Sequence, residues 1–197
     1  MLKLERIYKF GTAFEILAEA ILYGDIEPGT EITQTEAASS LGVSRMPVRE
    51  AFLALEYCGL VERLPGQHVR VSDIDGEDVK NIFGDFAALS MGTVRKLDPD
   101  GCEDQAVFLR MLENMTKSSL RKKFLEIIIE VYLMPVIKNP LRPVKINEAF
   151  SSLLNAMKNS DTAETERCFE VYCGVLADEL IKIRMERKIK NVKSQTG

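Results

Sequence analysis

The feature that most constrains this chain is a pair of short helical patterns joined by a tight turn. A helix predicted over 34–41 follows Thr33, whose side chain suits an N-cap, and a glycine-valine turn ends it. Ser44 is placed to cap the next helix, which runs to about Cys58 and carries Pro47 in its first turn, where a missing N–H is tolerated. Two helices joined this closely are predicted to form a helix-turn-helix.

The flanking sequence extends this motif into a small domain. Apolar residues over 7–22 recur at three- and four-residue steps and predict a first helix that ends at a glycine. After Gly59, the segments LVERL and HVRVS alternate apolar and polar residues around Pro65-Gly66, as paired strands do. We therefore predict a winged helix-turn-helix, with three helices and a two-stranded wing, in residues 1–72.

The remaining sequence contains only helical patterns, which are interrupted at Pro99 and Pro140. The predicted helices cover about 76–97, 103–117, 120–138, 144–159 and 162–190. The fold class is therefore predicted to be mostly α: a winged helix-turn-helix followed by an all-α helical bundle, which forms a second domain over 73–197.

The composition argues against a metal enzyme and against a membrane protein. The chain has one histidine and four cysteines without a C-x-x-C pair, so we expect no metal site, no catalytic constellation and no cofactor. No apolar run approaches the ~20 residues of a membrane helix, which predicts a cytoplasmic protein. The net charge of −4 weakens the electrostatic case for a nucleic-acid partner without removing it, because a local basic face is enough to bind phosphate.

Two arginines begin the second helix of the motif. Arg45 and Arg49 lie four residues apart and so share one helix face. The second helix of a helix-turn-helix fits the major groove of duplex DNA. An arginine there either reads guanine O6 and N7 or holds a phosphate. A third interpretation is that both arginines only solvate an exposed helix face, and these two residues alone leave all three open.

The surrounding run from Ala20 to Arg63 resembles the DNA-binding domain of the GntR family of bacterial regulators. The shared features are a glycine-ended helix, a PG connector, the L-G-V-S-R turn, the P-V-R-E helix start and the G-L-V entry to the wing. The resemblance implies that Arg45 and Arg49 make the principal base and phosphate contacts, that Ser44 faces a phosphate, and that Glu50 braces an arginine. The full predicted DNA-binding set is Thr33, Thr35, Ser44, Arg45, Met46, Pro47, Arg49, Gln67 and His68.

Two positions depart from the family pattern. Thr35 replaces the arginine that is usual on the second helix, and Gln67-His68 replaces the usual arginine-glycine of the wing tip. Gln67 can still enter a minor groove and His68 can still bind phosphate, but the backbone freedom of glycine is lost there. We expect the Pro65-Gly66 pair to compensate by moving the turn two residues earlier.

The helical domain resembles the FadR-like (FCD-type) branch of the family, most closely over 149–172. This resemblance implies a bundle that dimerises and binds a small effector, although the bundle looks one helix short between positions 137 and 150. Many members also hold a divalent metal with an aspartate and three histidines. Here two histidine positions read Phe150 and Tyr172, and an earlier one falls on Leu109 or Leu125, so no metal is expected.

The apolar replacements define a candidate effector pocket, in which Tyr172 can donate one hydrogen bond to an apolar or carboxylate effector. Its predicted residues are Phe124, Ile128, Phe150, Leu154 and Tyr172. The alternative is that these side chains simply fill the site. The predicted function is a GntR-type transcriptional regulator, a repressor or an activator and not an enzyme. It is expected to bind a palindromic operator in double-stranded DNA as a homodimer under effector control. In the alternative function, the helical domain only dimerises and senses no ligand.

Overall fold

The computed structural model describes residues 11–66, 68–102, 104–140 and 143–195. The chain divides into two compact units, one with the residues up to Ile74 and from Ile183 onward, the other with Asp75–Lys182. Positions 7 and 10 of the predicted first helix, and Gln67 of the predicted wing, lie outside the described residues.

The first unit contains three helices and a small antiparallel sheet. These elements are α1 (Thr12–Leu22), β1 (Glu31–Thr33), α2 (Gln34–Leu41), α3 (Arg45–Tyr57), β2 (Val61–Leu64) and β3 (His68–Val71). The sheet order is β1-β3-β2, with Ile32 opposite Val69 and Arg63 opposite Val69 on the other side. The predicted two-stranded wing was therefore one strand short. The strand β1 is only three residues long, too short for an alternating pattern, and its pairing with β3 joins distant parts of the chain.

The core of the first unit forms between α1 and α3. The predicted inward stripe of α3, made of Val48, Ala51, Phe52 and Leu55, is buried. Phe14 and Leu22 of α1 are buried as well. Full burial of a large apolar side chain stabilises a fold by about 1.5–3 kcal/mol, so this stripe fixes α3 in place and leaves its opposite face exposed.

The second unit is helical throughout its described residues, which confirms the predicted mostly-α fold class. Its helices are α4 (Gly76–Val94), α5 (Gln105–Met115), α6 (Ser119–Ile127), α7 (Met134–Lys138), α8 (Val144–Lys158) and the part of α9 (Thr162–Gln195) up to Lys182. A short 3-10 turn covers Pro99–Gly101. None of the helices in the described ranges is long and apolar enough to cross a membrane.

The helix predicted over 120–138 is interrupted by a wide, π-helical segment, Ile128–Leu133. Pro135 explains the interruption, because proline has no N–H to donate to the carbonyl four residues earlier, and its ring collides with that carbonyl. A π-helical turn places the proline in the first turn of a new helix, α7, where neither problem arises.

The C-terminal part of α9 groups with the first unit, whereas the sequence division at position 72 assigned the whole helix to the second domain. The guanidinium of Arg184 donates to the carbonyl oxygens of Leu22 (2.8 Å) and Ile74 (2.7 Å). Arg187 pairs with Asp25 and lies 4.5 Å from the centroid of the Tyr23 ring. The last carbonyls of a helix lack intrahelical donors, so Arg184 supplies a partner that α1 cannot provide itself.

Candidate nucleic-acid interface

The helix α2 is fixed at both of its ends by local hydrogen bonds. At the start of α2, the amide of Glu36 donates to Thr33 Oγ1 (3.1 Å), and the amide of Thr33 donates to Glu36 Oε2 (3.0 Å). This backbone hydrogen bond lowers the pKa of the Glu36 carboxyl. At the end of α2, Gly42 adopts φ +65, a conformation that favours glycine, and Val43 donates to the carbonyl of Ala38.

Ser44 occupies the N-cap position of α3, but its side chain makes no capping hydrogen bond. The expectation that Ser44 caps the helix with its hydroxyl was therefore wrong. An N-cap hydroxyl accepts from the amide of the second or third helical position, and the third position here is Pro47, which has no N–H to donate. The hydroxyl of Ser44 is exposed, and the first amides of α3, those of Arg45 and Met46, have no intrahelical partner.

A groove of about 590 Å³ lies between α3 and the wing. Its polar and charged lining comes from α2, α3 and both wing strands, and its floor is apolar. The lining residues are Gln34, Arg45, Met46, Arg49, Phe52, Arg63, Leu64, Gly66, His68 and Val69.

Arg45 and Arg49 project into this groove from α3. Both side chains are exposed, and neither makes an ion pair or hydrogen bond with another residue in the described part of the chain. Met46 lies beside them and is 62% exposed. No acidic side chain among the described residues lines the groove. The groove is therefore locally basic although the whole chain carries a net charge of −4.

Arg63 adds a third guanidinium to the groove, and the sequence reasoning missed it. It lies on β2, and its Nε is 3.0 Å from Glu56 Oε2 on α3. Arg63 shares a sheet face with the buried Val61, two residues earlier, so strand alternation places it toward the helices. That alternation was the available signal. It identifies the face of the strand but does not reveal which helix end lies opposite.

The wing turn takes its unusual backbone conformation at Gly66, where φ is +82. Leu64 pairs with His68, so Pro65 and Gly66 occupy the central turn positions that suit a type II turn. The imidazole of His68 lies 3.8 Å from the point where a Gly66 Cβ would be, and it lines the groove. The Pro65-Gly66 pair thus supplies the positive φ that the sequence lacks at the usual wing-tip glycine.

The structure brings together part of the predicted DNA-binding set. Arg45, Met46, Arg49 and His68 line one groove. Four others are not among its lining residues: Ser44 and Thr35 are exposed, Pro47 is half-buried, and the Thr33 hydroxyl is engaged in the cap of α2. Gln67 lies outside the described residues.

The predicted effector residues of the second unit are only partly brought together. Phe150 and Tyr172 pack with ring centroids 5.5 Å apart, and Phe108 contacts both rings at 5.4 and 6.4 Å. Ile128 and Leu154 are half-buried, whereas Phe124 is 53% exposed and so does not belong to this aromatic core. The sequence reasoning did not identify Phe108, because no local pattern relates it to the helices α8 and α9.

The Tyr172 hydroxyl is satisfied inside the chain. It donates to Gln105 Oε1 (2.9 Å), and Gln105 Nε2 donates to Asn147 Oδ1 (2.9 Å). Tyr172 is fully buried and Gln105 is 5% exposed. A buried tyrosine hydroxyl needs such a partner, so this chain of hydrogen bonds ties α5, α8 and α9 together.

The side chains that usually ligate metals are dispersed in this protein. The described residues contain no group of three or more His, Cys, Asp or Glu side chains that could hold a metal ion. Leu109 and Leu125, the two alternatives that the family resemblance offered for one histidine position, are both fully buried. Burial raises the pKa of the Cys58 thiol to about 12 and that of Cys102 to about 11, so both thiols are protonated near neutral pH.

Comparison with known proteins finds a family model that matches the first unit. Residues 11–71 match the family model described as bacterial regulatory proteins, gntR family. The first unit of this chain is therefore similar to the DNA-binding domain of that family. The matched residues span α1 to β3, that is, the three helices and the complete sheet of the first unit.

Two curated relatives extend the likeness beyond the matched domain. The HTH-type transcriptional regulator YdhC of Bacillus subtilis is 28% identical over 151 residues, which cover 71% of this chain and 67% of YdhC. The HTH-type transcriptional repressor RspR of Escherichia coli is 29% identical over 120 residues, covering 60% of this chain and 52% of RspR. The chain thus spans about half the length of RspR.

A solved structure shows that the likeness in fold includes the helical unit. The E. coli protein McbR/YncC superposes with a TM-score of 0.51 over 94% of this chain and 97% of that one. Because only 19% of the aligned residues are identical, this comparison shows the fold alone. The likeness in fold thus covers both the winged helix-turn-helix and the helical second unit of this chain.

Proposed function

We propose that this chain is a DNA-binding transcriptional regulator of the GntR family, a homodimeric repressor of its FadR-like (FCD-type) branch that binds a palindromic operator in the cytoplasm. Each copy would place α3 in the major groove and the wing beside it. A twofold-symmetric dimer reads two half-sites about one helical turn apart, which is why a palindrome is the expected target. The repressor RspR among the relatives supports the direction of control.

The basic groove between α3 and the wing carries this proposal. Arg45 and Arg49 project into it without a protein partner, so their donors are available to base edges and phosphates. Arg45 is the first residue of α3, the end that reaches base edges when a recognition helix enters the major groove. Arg49 lies one turn further along the same face.

The start of α3 also supplies phosphate donors. The Ser44 hydroxyl is free because Pro47 cannot serve as its capping partner, and the Arg45 and Met46 amides are unpaired within the helix. Unpaired amides at a helix N-terminus attract anions, since the helix dipole adds to their partial charge. We propose that these donors hold one phosphate and so set the depth at which Arg45 enters the groove.

The wing contributes a second set of contacts in this proposal. His68 and Arg63 line the groove opposite α3, and Arg63 forms an ion pair with Glu56 of that helix. A wing placed beside the recognition helix lies over the DNA backbone and the neighbouring minor groove. We therefore propose that Arg63 and His68 bind phosphate, with Arg63 as a contact additional to those that the family resemblance implies.

The test is operator binding by single arginine variants. Arg45→Ala and Arg49→Ala are expected to weaken binding by about 5- to 150-fold each, which corresponds to the ~1–3 kcal/mol of a lost arginine contact. Arg110→Ala is the matched control, because Arg110 is an exposed arginine of the helical unit. Fluorescence anisotropy and footprinting on operator fragments provide the measurement. Wild-type footprints in both groove variants would refute the assignment.

A second candidate, in which the helical unit dimerises but senses no ligand, is favoured by one observation. Phe108, Phe150 and Tyr172 fill the predicted effector site, and the Tyr172 hydroxyl already donates to Gln105. Thermal-shift screening against fatty acids, aromatic acids and acyl thioesters separates the two candidates. Stabilisation by one ligand class that disappears in Tyr172→Phe would favour the effector-controlled repressor, and no stabilisation would favour the second candidate.

A further inference from the structure

Met46 shares the exposed side of α3 with the two arginines of the groove. It is the second residue of the helix, directly after Arg45 and three residues before Arg49. Because an α-helix turns by about 100° per residue, these three positions fall within about 100° of its circumference. All three residues are exposed and line the groove between α3 and the wing. The thioether of Met46 therefore lies at the same end and on the same side of α3 as the guanidinium groups.

Met46 differs from the other large apolar side chains that line the groove. It is 62% exposed, whereas Phe52 and Val69 are each 2% exposed and Leu64 is half-buried. The other three therefore belong to the packing of the first unit and form the floor of the groove. On α3 the inward position near the helix start is taken by Val48, which is fully buried. The core of the unit is complete without Met46, and its apolar surface is open to a ligand.

The position of Met46, rather than its exposure alone, gives this side chain a function. Single exposed apolar residues are common on protein surfaces and need no ligand to explain them. Met46, however, lies at the N-terminal end of the helix that enters the major groove in the proposed complex, and residues at this end reach the edges of the bases. DNA binding would therefore remove its side chain from water. The base edge that it meets then decides whether this burial favours binding.

The chemistry of a thioether restricts the base edges that Met46 can cover favourably. Methionine has no hydrogen-bond donor, and its sulfur is a weak acceptor. The major-groove edges of the bases present hydrogen-bond donors and acceptors, and thymine alone adds an apolar methyl group, on C5. A thioether placed over a donor or acceptor would exclude water from it without replacing the lost hydrogen bond, which weakens binding. Against a thymine methyl group, the same burial is favourable.

The groove also gives Met46 a role that its charged neighbours cannot fill. Arg45 and Arg49 carry only donors, which suit guanine O6 and N7 or a phosphate oxygen. A donor has no partner in a methyl group, so neither arginine distinguishes thymine by its C5 substituent. Methionine is unbranched and has three rotatable side-chain bonds, and it therefore adapts to a methyl group beside a base that an arginine contacts.

We propose that Met46 is a specificity-determining residue that contacts the C5-methyl group of a thymine in each operator half-site. This assignment rests on the proposed function and deepens it, because it names a base that the operator contains. The thymine lies beside the base pair that Arg45 reaches, since the two residues are adjacent at the start of α3. The arginines supply the polar contacts of the interface, and Met46 supplies an apolar contact that favours thymine over the other bases.

Replacement of thymine by uracil in the DNA tests this contact, because it removes the methyl group and leaves every hydrogen-bonding group of the base in place. Duplexes are selected from a random pool with the full chain, and each thymine of the selected half-site is then replaced in turn. At one thymine, replacement in both half-sites is expected to weaken binding by about 10- to 20-fold, the effect of two buried methyl groups. Fluorescence anisotropy gives the dissociation constants.

Protein variants show whether Met46 is the group that senses the methyl. In Met46→Ala, the ratio of affinities for the thymine and uracil duplexes is expected to fall below about 3, because the two changes remove the same contact. Met46→Gln, which keeps the length of the side chain but ends in a polar amide, is expected to lose the preference as well. Met185→Ala is the matched control and should keep the wild-type ratio, since Met185 is 61% exposed on α9 and does not line the groove. Thermal unfolding checks that all three variants are folded.

Arg45→Ala, measured on the same duplexes, separates a failure of this assignment from a failure of the proposed function. The assignment of Met46 falls if the wild type binds the thymine and uracil duplexes equally at every position, or if Met46→Ala keeps the full wild-type ratio. A selected half-site without thymine on either strand would overturn it as well. In each of these cases the proposed function stands as long as Arg45→Ala weakens binding. If the wild type selects no duplex from the pool, the assignment and the proposed function fall together.

Discussion

In the first unit, Arg45 and Arg49 extend from α3 without a partner in the described chain, whereas in the second unit the Tyr172 hydroxyl is buried and donates to Gln105. The sequence predicted binding residues in both units: the two arginines for DNA and Tyr172 for an effector. The difference is that the hydrogen-bonding capacity of the arginines is unused and that of the tyrosine is consumed by the fold. A side chain whose capacity is already met inside the protein offers a ligand little without a rearrangement.

The same contrast holds between a polar side chain of the first unit and a hydrogen-bonded group of side chains in the second unit. In the first unit Pro47 withholds an amide from Ser44 and leaves its hydroxyl exposed. In the second unit Asn147 completes a buried chain of hydrogen bonds from Tyr172 through Gln105. The first arrangement preserves donors for a partner, and the second holds helices together. Variants that remove groups of each kind should therefore separate effects on binding from effects on stability.

The largest effect is expected for Phe108→Ala in the aromatic core of the second unit. Phe108 is fully buried and contacts Phe150 and Tyr172 at 5.4 and 6.4 Å. Removing the ring creates a cavity and should lower the free energy of unfolding by about 3–5 kcal/mol. Phe124→Ala is the matched control, since Phe124 is 53% exposed and should lose well under half as much. Similar losses in urea denaturation for both variants would contradict the distinction between packed and exposed phenylalanines.

The next largest effect is expected at Arg184. Its guanidinium forms hydrogen bonds within the protein, whereas Arg45 and Arg49 form none in the described part of the chain. Arg184→Ala removes donors from the carbonyls of Leu22 and Ile74 and should destabilise the chain by about 2–3 kcal/mol. Lys188→Ala, an exposed basic residue one turn along the same helix, should change stability little. Thermal unfolding measures both variants. Equal melting temperatures would show that Arg184 is as dispensable for the fold as an exposed surface cation.

Local signals predicted α2 and α3 well, and non-local contacts explain what the sequence did not reveal. The Thr33 cap, the Gly42 stop and the apolar stripe of α3 all act within a few residues, so their consequences can be predicted from short segments. The strand β1 and the groove position of Arg63 depend on β3 and Glu56, which come from elsewhere in the chain. No periodicity within one segment reports such a partner.

The aromatic core illustrates the same limit for the candidate effector site. The family resemblance placed Phe150 and Tyr172 at positions that line the bundle, and both are buried. The ring that packs against them belongs to Phe108 on α5, and the polar partner of Tyr172 is Gln105 on the same helix. Whether a site is open or filled depends on this third helix, and nothing in the pattern of α8 or α9 indicates it.

A smaller effect on stability is expected at one N-cap of the helix-turn-helix, and none at the other. Thr33→Ala removes the acceptor of the Glu36 amide and should destabilise the protein by about 1 kcal/mol. Ser44→Ala removes a hydroxyl that makes no capping hydrogen bond, so stability should stay close to wild type while operator affinity falls. Denaturation and anisotropy on both variants provide the comparison. A stability loss in Ser44→Ala equal to that in Thr33→Ala would contradict the role assigned to Pro47.

The smallest effect is a pH dependence at the start of α2, where the exposed Glu36 carboxylate accepts from the Thr33 amide. That hydrogen bond lowers the pKa of Glu36 in the folded protein. A carboxyl with a lowered folded pKa stabilises the fold above the pKa it has when unfolded, about 4.3, and loses this stabilisation as the pH falls through the folded pKa. The wild type should therefore be more stable than Glu36→Gln at pH 7, because the charged carboxylate is the stronger acceptor and favours the helix N-terminus. The difference should shrink as the pH is lowered below 4, since the protonated acid then resembles the amide. A difference in urea midpoint that stayed constant from neutral to acid pH would mean that the cap stabilises α2 through geometry alone, and that charge contributes nothing to this end of the helix-turn-helix.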